Sequence, residues 1–417
     1  MSKENSTTTE PFYNTSIPSD WGIRTLGDLV MEMKSGLSRE LSIEDIGLPV
    51  IRSNNLIENI VDFVDIKYWH TTDNQGAKTE NYFLSDGDIL VNFINSISQI
   101  GKCAYFKNHL NRPIIFTTNI LVVRFKSSII DSRYFLYYSL QNGYKKYVDS
   151  ITKPAINQAS FTTKDYKKLK LPLPTIFEQR SIAHVLGLMD SVINQNNLLI
   201  AQKELRKKWL MQNLLTGKKR LKGFEGVWKE YHLGEMFKER NETKYFELPL
   251  LSVGASGIYP QADSIKKDTS NEDKSKYRRI CPGDIGYNTM RMWQGRSALS
   301  SLEGIVSPAY TIVTPKKNAD SVFFSFLFKT SKLTNLFWRN SQGLVDDTLN
   351  CKFKDFAIVR VDLPEMKEEQ SAIAQVLQAA DKELQLLKAK TDKLRDQKKG
   401  MMQVLLTGKK RLNLNIV

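Results

Sequence analysis

The chain has 417 residues, 41% hydrophobic and 25% charged, with a formal net charge of +15. That length supports two or three domains with their own cores, and the positive balance points to a polyanionic partner, most simply nucleic acid. The three cysteines (Cys103, Cys281, Cys351) lie far apart with no C-x-x-C pair, which argues against a disulfide framework or a zinc site, and no apolar run is long enough to span a bilayer.

Residues 1–19 are polar and lack the apolar core of a signal peptide, so they read as a disordered lead-in. With the cysteine usage, this suits a reducing cytoplasm. Trp21 then opens W-x4-LGDL, and Trp228 opens a counterpart, Leu233-Gly234-Glu235-Met236. Leu48-Pro49-Val50-Ile51 answers Leu248-Pro249-Leu250-Leu251. Gly87-Asp88-Ile89 with Asn92 answers Gly283-Asp284-Ile285 with Asn288, and Lys164 through Pro174 answers Lys354 through Pro364. The offset drifts between these points, so a frame repeats while its loops do not. Residues 20–174 and 223–364 therefore read as two similar α+β globules. Asp88–Phe93 and Asn119–Phe125 are predicted strands, being short β-branched or aromatic runs. Ser132–Val148 and Ser321–Trp338 are predicted amphipathic helices whose aromatics belong to the core rather than to base-stacking platforms.

Each globule is followed by a stretch that repeats without a gap. Glu178–Leu221 matches Glu369–Leu412 at 19 of 44 positions, concentrated at the two ends: EQ..IA.VL…D in front and KK..MQ.LLTGKKRL behind. Between the ends runs an alternating 4-3 spacing, the pattern of a coiled-coil seam. The first copy places Ile182, Leu186, Met189, Ile193, Asn196, Ile200, Lys203, Lys207, Leu210 and Leu214 on it. The second places Ile373, Leu377, Ala380, Leu384, Leu387, Thr391, Leu394, Lys398, Met401 and Leu405. Neither copy contains proline, and Thr216-Gly217 and Thr407-Gly408 mark the helix ends. Each is a predicted rod of roughly 39 residues, about 58 Å long. A helix with one apolar seam needs a partner, and the other copy is the expected one. Segments 175–222 and 365–417 are thus predicted to pair as an antiparallel coiled coil that gives the chain an internal pseudo-twofold repeat. Two ordinary long helices in one domain would explain the seam but not the ungapped repetition. Asn196, polar at a seam position, is expected to fix register, while Lys203 and Lys207 either snorkel or mark where the rods splay. His184, replaced by Gln375 in the second copy, reads as a surface residue.

Candidate DNA contacts are the polar and basic residues of the loops beside fixed frame points. In the first globule these are Arg52, Ser53, Asn54 and Asn55, then Asn92, Asn95, Ser96, Gln99 and Lys102. In the second they are Ser252, Ser256, Asn288, Arg291, Gln294 and Arg296. Arginine and lysine can bond guanine acceptors, and asparagine and glutamine can pair bidentately with adenine. The competing reading makes the same residues solvated loop positions or phosphate clamps.

Catalytic motifs find little support. Ser307-Pro308-Ala309-Tyr310 approaches the Pro-Pro-Tyr loop of amino-methyltransferases but has Ala309 in place of the second proline, and no glycine-rich cofactor loop precedes it. Thr216-Gly217-Lys218-Lys219 lacks the P-loop spacing, and with no H-E-x-x-H or C-x-x-C a metal site has no basis.

The order of these motifs, LP-x3/4-EQ leading into I-A-x-V-L, the MQ-x-LLTGKKRL helix end, LGDL, GDI and Gly304–Tyr310, resembles the DNA-specificity subunit of Type I restriction–modification systems over nearly the whole chain. The resemblance implies two target-recognition domains, each reading one half of a bipartite double-stranded DNA target, and two helices acting as an antiparallel spacer. It implies a subunit that is not itself an enzyme and carries no cofactor. Two modification subunits would methylate adenine with S-adenosylmethionine, docking on the helix ends, and two restriction subunits would translocate and cut DNA with ATP and magnesium. Two other readings compete: a coiled-coil scaffold that binds proteins only, and a DNA methyltransferase carrying its own recognition domains.

Overall fold

A computed structural model describes residues 17–156, 158–254, 257–263, 271–343 and 349–412. The chain divides into two compact units, one made of Met1–Gln195 with Thr391–Val417 and the other of Asn196–Lys390. Both boundaries fall inside long helices, Ile176–Leu214 and Lys367–Leu405, each 39 residues.

The first unit is built on a six-stranded sheet. Its central strands, Ile89–Asn92 and Ile120–Phe125, pair antiparallel, with Leu121 opposite Val91 and Val123 opposite Ile89. Alternation along a strand sends successive side chains to opposite faces, and both faces here are covered. Ile89, Val91, Leu121 and Val123 join one core with Phe135, Tyr138 and Tyr166. Leu90, Ile120 and Val122 join another with Phe106 and Phe116. A separate pair, Gly22–Thr25 with Lys170–Leu173, brings the unit's beginning beside the strand that leads into the first long helix.

The second unit has a smaller sheet in the order Phe237–Glu239, Tyr310–Pro315, Ile285–Asn288, Ser297–Leu299. Trp228–His232 pairs with Arg360–Pro364 as Gly22–Thr25 does with Lys170–Leu173. Phe237, Phe323, Phe324, Phe328, Phe337 and Phe356 fill its core, where edge-to-face contacts such as Phe237–Phe324 at 4.8 Å favour one packing arrangement.

Each predicted helix following the sheets is two helices. Ser132–Tyr138 is followed by Asn142–Ile151, and Ser321–Leu327 by Ser331–Asn340. The Ser139 hydroxyl donates to the Leu136 carbonyl and Thr330 donates to Leu327, so a side chain satisfies the terminal carbonyl at each break. The lead-in also ends earlier than expected. Residues 1–16 lie outside the described residues, but Ile17 is buried and the Trp21 amide donates to the Pro18 carbonyl.

On the long helices every seam position is buried or half-buried. Ile182, Leu186, Ile193, Leu214, Ile373, Leu377, Leu384 and Leu405 are buried, as are Asn196 and Thr391. Met189, Ile200, Leu210, Ala380, Leu387, Leu394 and Met401 are half-buried. Lys203 and Lys207 form ion pairs with Glu383 and Asp381. His184 is exposed. Among the described residues no helix is long and apolar enough to cross a membrane.

Candidate nucleic-acid interface

In the first unit the strand Gly47–Ile51 delivers Arg52 into a short turn, Ser53–Asn55. Asn55 is an internal brace: its Oδ1 accepts from the Arg52 amide at 2.9 Å, and its Nδ2 donates to the Asp62 and Asp65 carbonyls at 3.1 and 3.2 Å. Arg52 is tied to the same loop, donating to the Asp65 carbonyl at 2.6 Å and its carboxylate at 2.8 Å. Asn92, 1% exposed, is interior too. Its backbone donates to Lys102 and accepts from Gly101, pinning the second loop to the sheet. These three candidate contact residues brace the loops, with polar groups bonded to, or buried beneath, the turns that shape them.

What the frame presents is a cleft of about 640 Å³ lined by Ser53, Asn54, Gln99 and Lys102. The Lys102 ammonium donates to Gln99 Oε1 at 2.7 Å, which aims the pair together. Asn95, whose Oδ1 accepts from the Ser96 amide, and Ser96 itself lie outside this cleft. Two further lining residues had no place in the sequence reading. Asn59 sits with Glu58 at positive φ (69° and 49°) in the turn joining Leu56–Ile57 to Ile60–Val61. Such a two-residue turn favours Asn, so the signal was there to read. Lys145 comes from the exposed side of Asn142–Ile151, which nothing in its local pattern marks as functional. Glu58 and Asp149 also line the cleft, so its charge is mixed rather than uniformly basic.

In the second unit Asn288 ends its strand, accepting at Oδ1 from the Met290 amide at 3.0 Å. Half-buried Arg291 follows, and a short helical turn, Met292–Gln294, stops at Gly295, whose φ of +70° lies in the left-handed region. Gln294 and Arg296 then share a cleft of about 500 Å³ with Lys329, another residue the sequence reading lacked. Ser252 stands apart, its hydroxyl bonded to Gln261. Ser256 lies outside the described residues.

The repeated motifs hold the frame. Asp88, 1% exposed, accepts from the Ser85 amide and from Arg124 Nε and Nη2 at 2.8 and 2.7 Å. Asp284 accepts from the Cys281 amide, Arg240 Nε at 2.7 Å and the Thr314 hydroxyl at 2.8 Å. The aspartate repeats, but its arginine comes from a different strand context in each unit. The EQ pair is divided in its work. Gln179 donates to the Pro174 and Ile129 carbonyls and accepts from the Asp131 amide, and Gln370 repeats this with Pro364, Asn318 and Asp320. Glu178 and Glu369, both 2% exposed, receive Arg411 and Arg220, one from each Thr-Gly-Lys-Lys-Arg run. Gly408 packs on Pro18 and Trp21, and Gly217 on Trp228; at φ of +68° and +69° a side chain would be strained as well as crowded. The glycine and arginine of both helix ends are thus engaged internally, while Lys218, Lys219, Lys409 and Lys410 remain exposed and Lys219 lies over Trp209. Ser307–Tyr310 forms a turn, with the Thr289 amide donating to the Ala309 carbonyl.

Residues 18–204 match the Type I restriction modification DNA specificity domain. Over 425 residues, 95% of both chains, the sequence is 27% identical to a protein named as the MjaX type I restriction enzyme specificity subunit of Methanocaldococcus jannaschii. It is 30% identical over 214 residues to the MjaVIII specificity subunit of the same organism, covering 49% of this chain and 48% of that one. The fold is similar to the S subunit of a Type I restriction–modification system from M. genitalium, with a TM-score of 0.57 at 14% identity, covering 96% of this chain and 98% of that one. A chain from a structural study of complex assembly in the type I R-M system gives a TM-score of 0.54 at 14% identity, covering 94% and 99%. Residues 18–204 thus resemble the specificity domain, and the chain is similar along nearly its full length to a Type I restriction–modification specificity subunit.

Proposed function

We propose that the chain reads a bipartite double-stranded DNA target, one half-site per compact unit, as the non-catalytic member of its complex. The observation that carries this reading is one frame used twice with different loops. The Asp88 and Asp284 anchors and the two Glu–Arg contacts recur, whereas the loops differ: Ser53, Asn54, Gln99 and Lys102 line one cleft, and Gln294, Arg296 and Lys329 the other. Repeated frames with unlike loops suit two readers of unlike sequences. Asn54 and Gln99 are the types that pair with adenine, and Lys102 and Arg296 those that bond guanine.

The two long helices form an antiparallel coiled coil that spaces the readers. Supporting this, partner numbers fall as residue numbers rise: Glu178 with Arg411, Asp190 with Lys398, Lys203 with Glu383, Lys207 with Asp381, Arg220 with Glu369. In this reading the complex works in the cytoplasm. Two modification subunits use S-adenosylmethionine to methylate adenine in the target, and two restriction subunits use ATP and magnesium to translocate and cut.

Mapping methylated adenines in the host with and without the gene tests the assignment. Gln99→Ala with Lys102→Ala is expected to relax one half-site, at about 1–3 kcal/mol per lost base contact. Lys145→Ala is expected to weaken binding to all sequences and lower the salt slope by about one. An unchanged methylation map, or simultaneous change in both half-sites, would remove this reading.

A further inference from the structure

The sheet of the first unit has a second cleft, of about 570 Å³, at the end of Ile89–Asn92 opposite the candidate base-reading loops. Met31, Tyr105, Arg133 and Arg180 line it, and so do Asp86, Asp88 and Asp131, whose carboxylates are already bonded to Lys107, Arg124 and the Tyr134 amide. We propose that it takes a carboxylate-bearing segment of a partner protein, gripped between Arg133 and Arg180.

The cations already in use are easily set aside. Arg124 is held by Asp88 and Glu32, and Lys107 by Asp86. Arg133 and Arg180 are different. Both are exposed, and among the described residues neither guanidinium meets a carboxylate. Arg133 lies over the Tyr105 ring at 5.1 Å, which holds its planar fork out at the cleft. Arg180 projects from the second turn of the long helix, two residues beyond buried Glu178. Two such forks accept carboxylate oxygens bidentately.

Phosphate oxygens would satisfy the same forks, and the surroundings decide between the two. Met31, which lines the cleft, is 64% exposed. No lysine lines the cleft among the described residues. Exposed Met31 beside Arg133, Arg180 and Tyr105, without Lys, favours a protein contact over a phosphate track. The second unit lacks the site. Val322 stands where Arg133 does and Ser371 where Arg180 does, and Ser371 already donates to Asp320 at 2.7 Å. The contact is therefore made once per chain, although the frame is present twice.

This inference rests on the specificity-subunit reading for its partner, a subunit of the same complex. The test uses the full chain with Arg133→Glu and Arg180→Glu, and a milder Arg133→Gln, Arg180→Gln companion. Modification and restriction subunits from the same host are titrated separately at fixed salt, and a duplex containing the mapped target is titrated alone. Association with one protein subunit is expected to weaken at least tenfold in the Glu variant and less in the Gln variant, with duplex binding changed less than twofold. Lost duplex binding with intact subunit association would make the cleft a phosphate site and overturn the proposal. Unchanged behaviour in every titration would overturn it too. A wild-type chain that assembles but binds no duplex would count against target reading, while the assembly titrations would still decide the cleft.

Discussion

The Arg411 guanidinium holds the Glu178 carboxylate, donating from Nη2 to Oε2 at 2.7 Å across 233 positions of chain. Arg220 does the same to Glu369 across 149 positions, at 2.6 Å. In each case the end of one helix repeat closes on the start of the other. The guanidinium also lies over the tryptophan that opens the adjoining globule, Arg411 over Trp21 and Arg220 over Trp228. Arg411→Ala would strand a carboxylate that is only 2% exposed. Removing one partner of a fully buried pair costs about 3–5 kcal/mol, but the Arg411 side chain is 41% exposed against 25% for Arg220, so solvent screens it more. The expected loss is about 2 kcal/mol for Arg411→Ala and about 3 kcal/mol for Arg220→Ala, read from urea unfolding. Equal, negligible losses would mean the contacts are incidental.

Much of this was legible because the chain states it twice. The 4-3 spacing picked out positions that are buried or half-buried along both long helices, and the repeat located both helix ends. The role of those ends was not legible, since no local pattern tells that Arg220 meets Glu369 rather than a partner subunit. Loop residues could not be told apart for a related reason. Asn54 and Asn55 are identical in type and adjacent in sequence, yet one lines the cleft while the other braces the turn. Only the path of the backbone through Asp62 and Asp65 separates them.

The first unit draws its last piece from the chain's far end. Met402, Leu405 and Leu406 pack in one cluster with Trp21, Ile182, Ala183 and Leu186. The second unit has its counterpart, Leu214 and Leu215 with Ile373, Ala374 and Leu377, inside one continuous segment. A chain ending at Lys390 is expected to lose the first unit's cooperative unfolding while keeping the second's. Hydrogen exchange resolved by peptide would show it as lost protection around Trp21 and Leu186 and retained protection around Phe323 and Phe356. Uniform loss of protection would mean the two units fold only together.

Thiol labelling offers an independent check on packing. Cys103 and Cys351 are buried, and burial pushes both thiols up, that of Cys351 to about 12 with Asp355 adding to the effect. Cys281 is half-buried and also raised by burial, with Arg240 and Arg279 pulling the other way. The thiolate is the reactive form. At pH 8 the native protein is expected to label slowly and at Cys281 alone, whereas urea-unfolded protein labels at all three cysteines. Fast native labelling of Cys351 would contradict the packing of the second core.

If the paired helices set the gap between half-sites, lengthening them should lengthen the unspecified spacer. Arg411 on Glu178 and Arg220 on Glu369 fix how the insertion must be made. Four residues added to one helix alone would leave it longer than its partner, and both contacts could not re-form without a bulge. The insertion therefore belongs in both helices at facing positions, after Gln202 and after Gln385. Each is exposed, and both lie beside the Lys203–Glu383 pair. Four residues add about 6 Å at 1.5 Å per residue, or one to two base pairs at about 3.4 Å each. Four residues also advance a helix only slightly past one turn, so the seam survives with modest repacking, whereas two residues would turn it away. The methylation map of the paired insertion is expected to keep both half-sites and widen the spacer by one or two base pairs. The single insertion is expected to lose most activity. A paired insertion that stays active on the original spacing would mean that something other than the helices measures the distance.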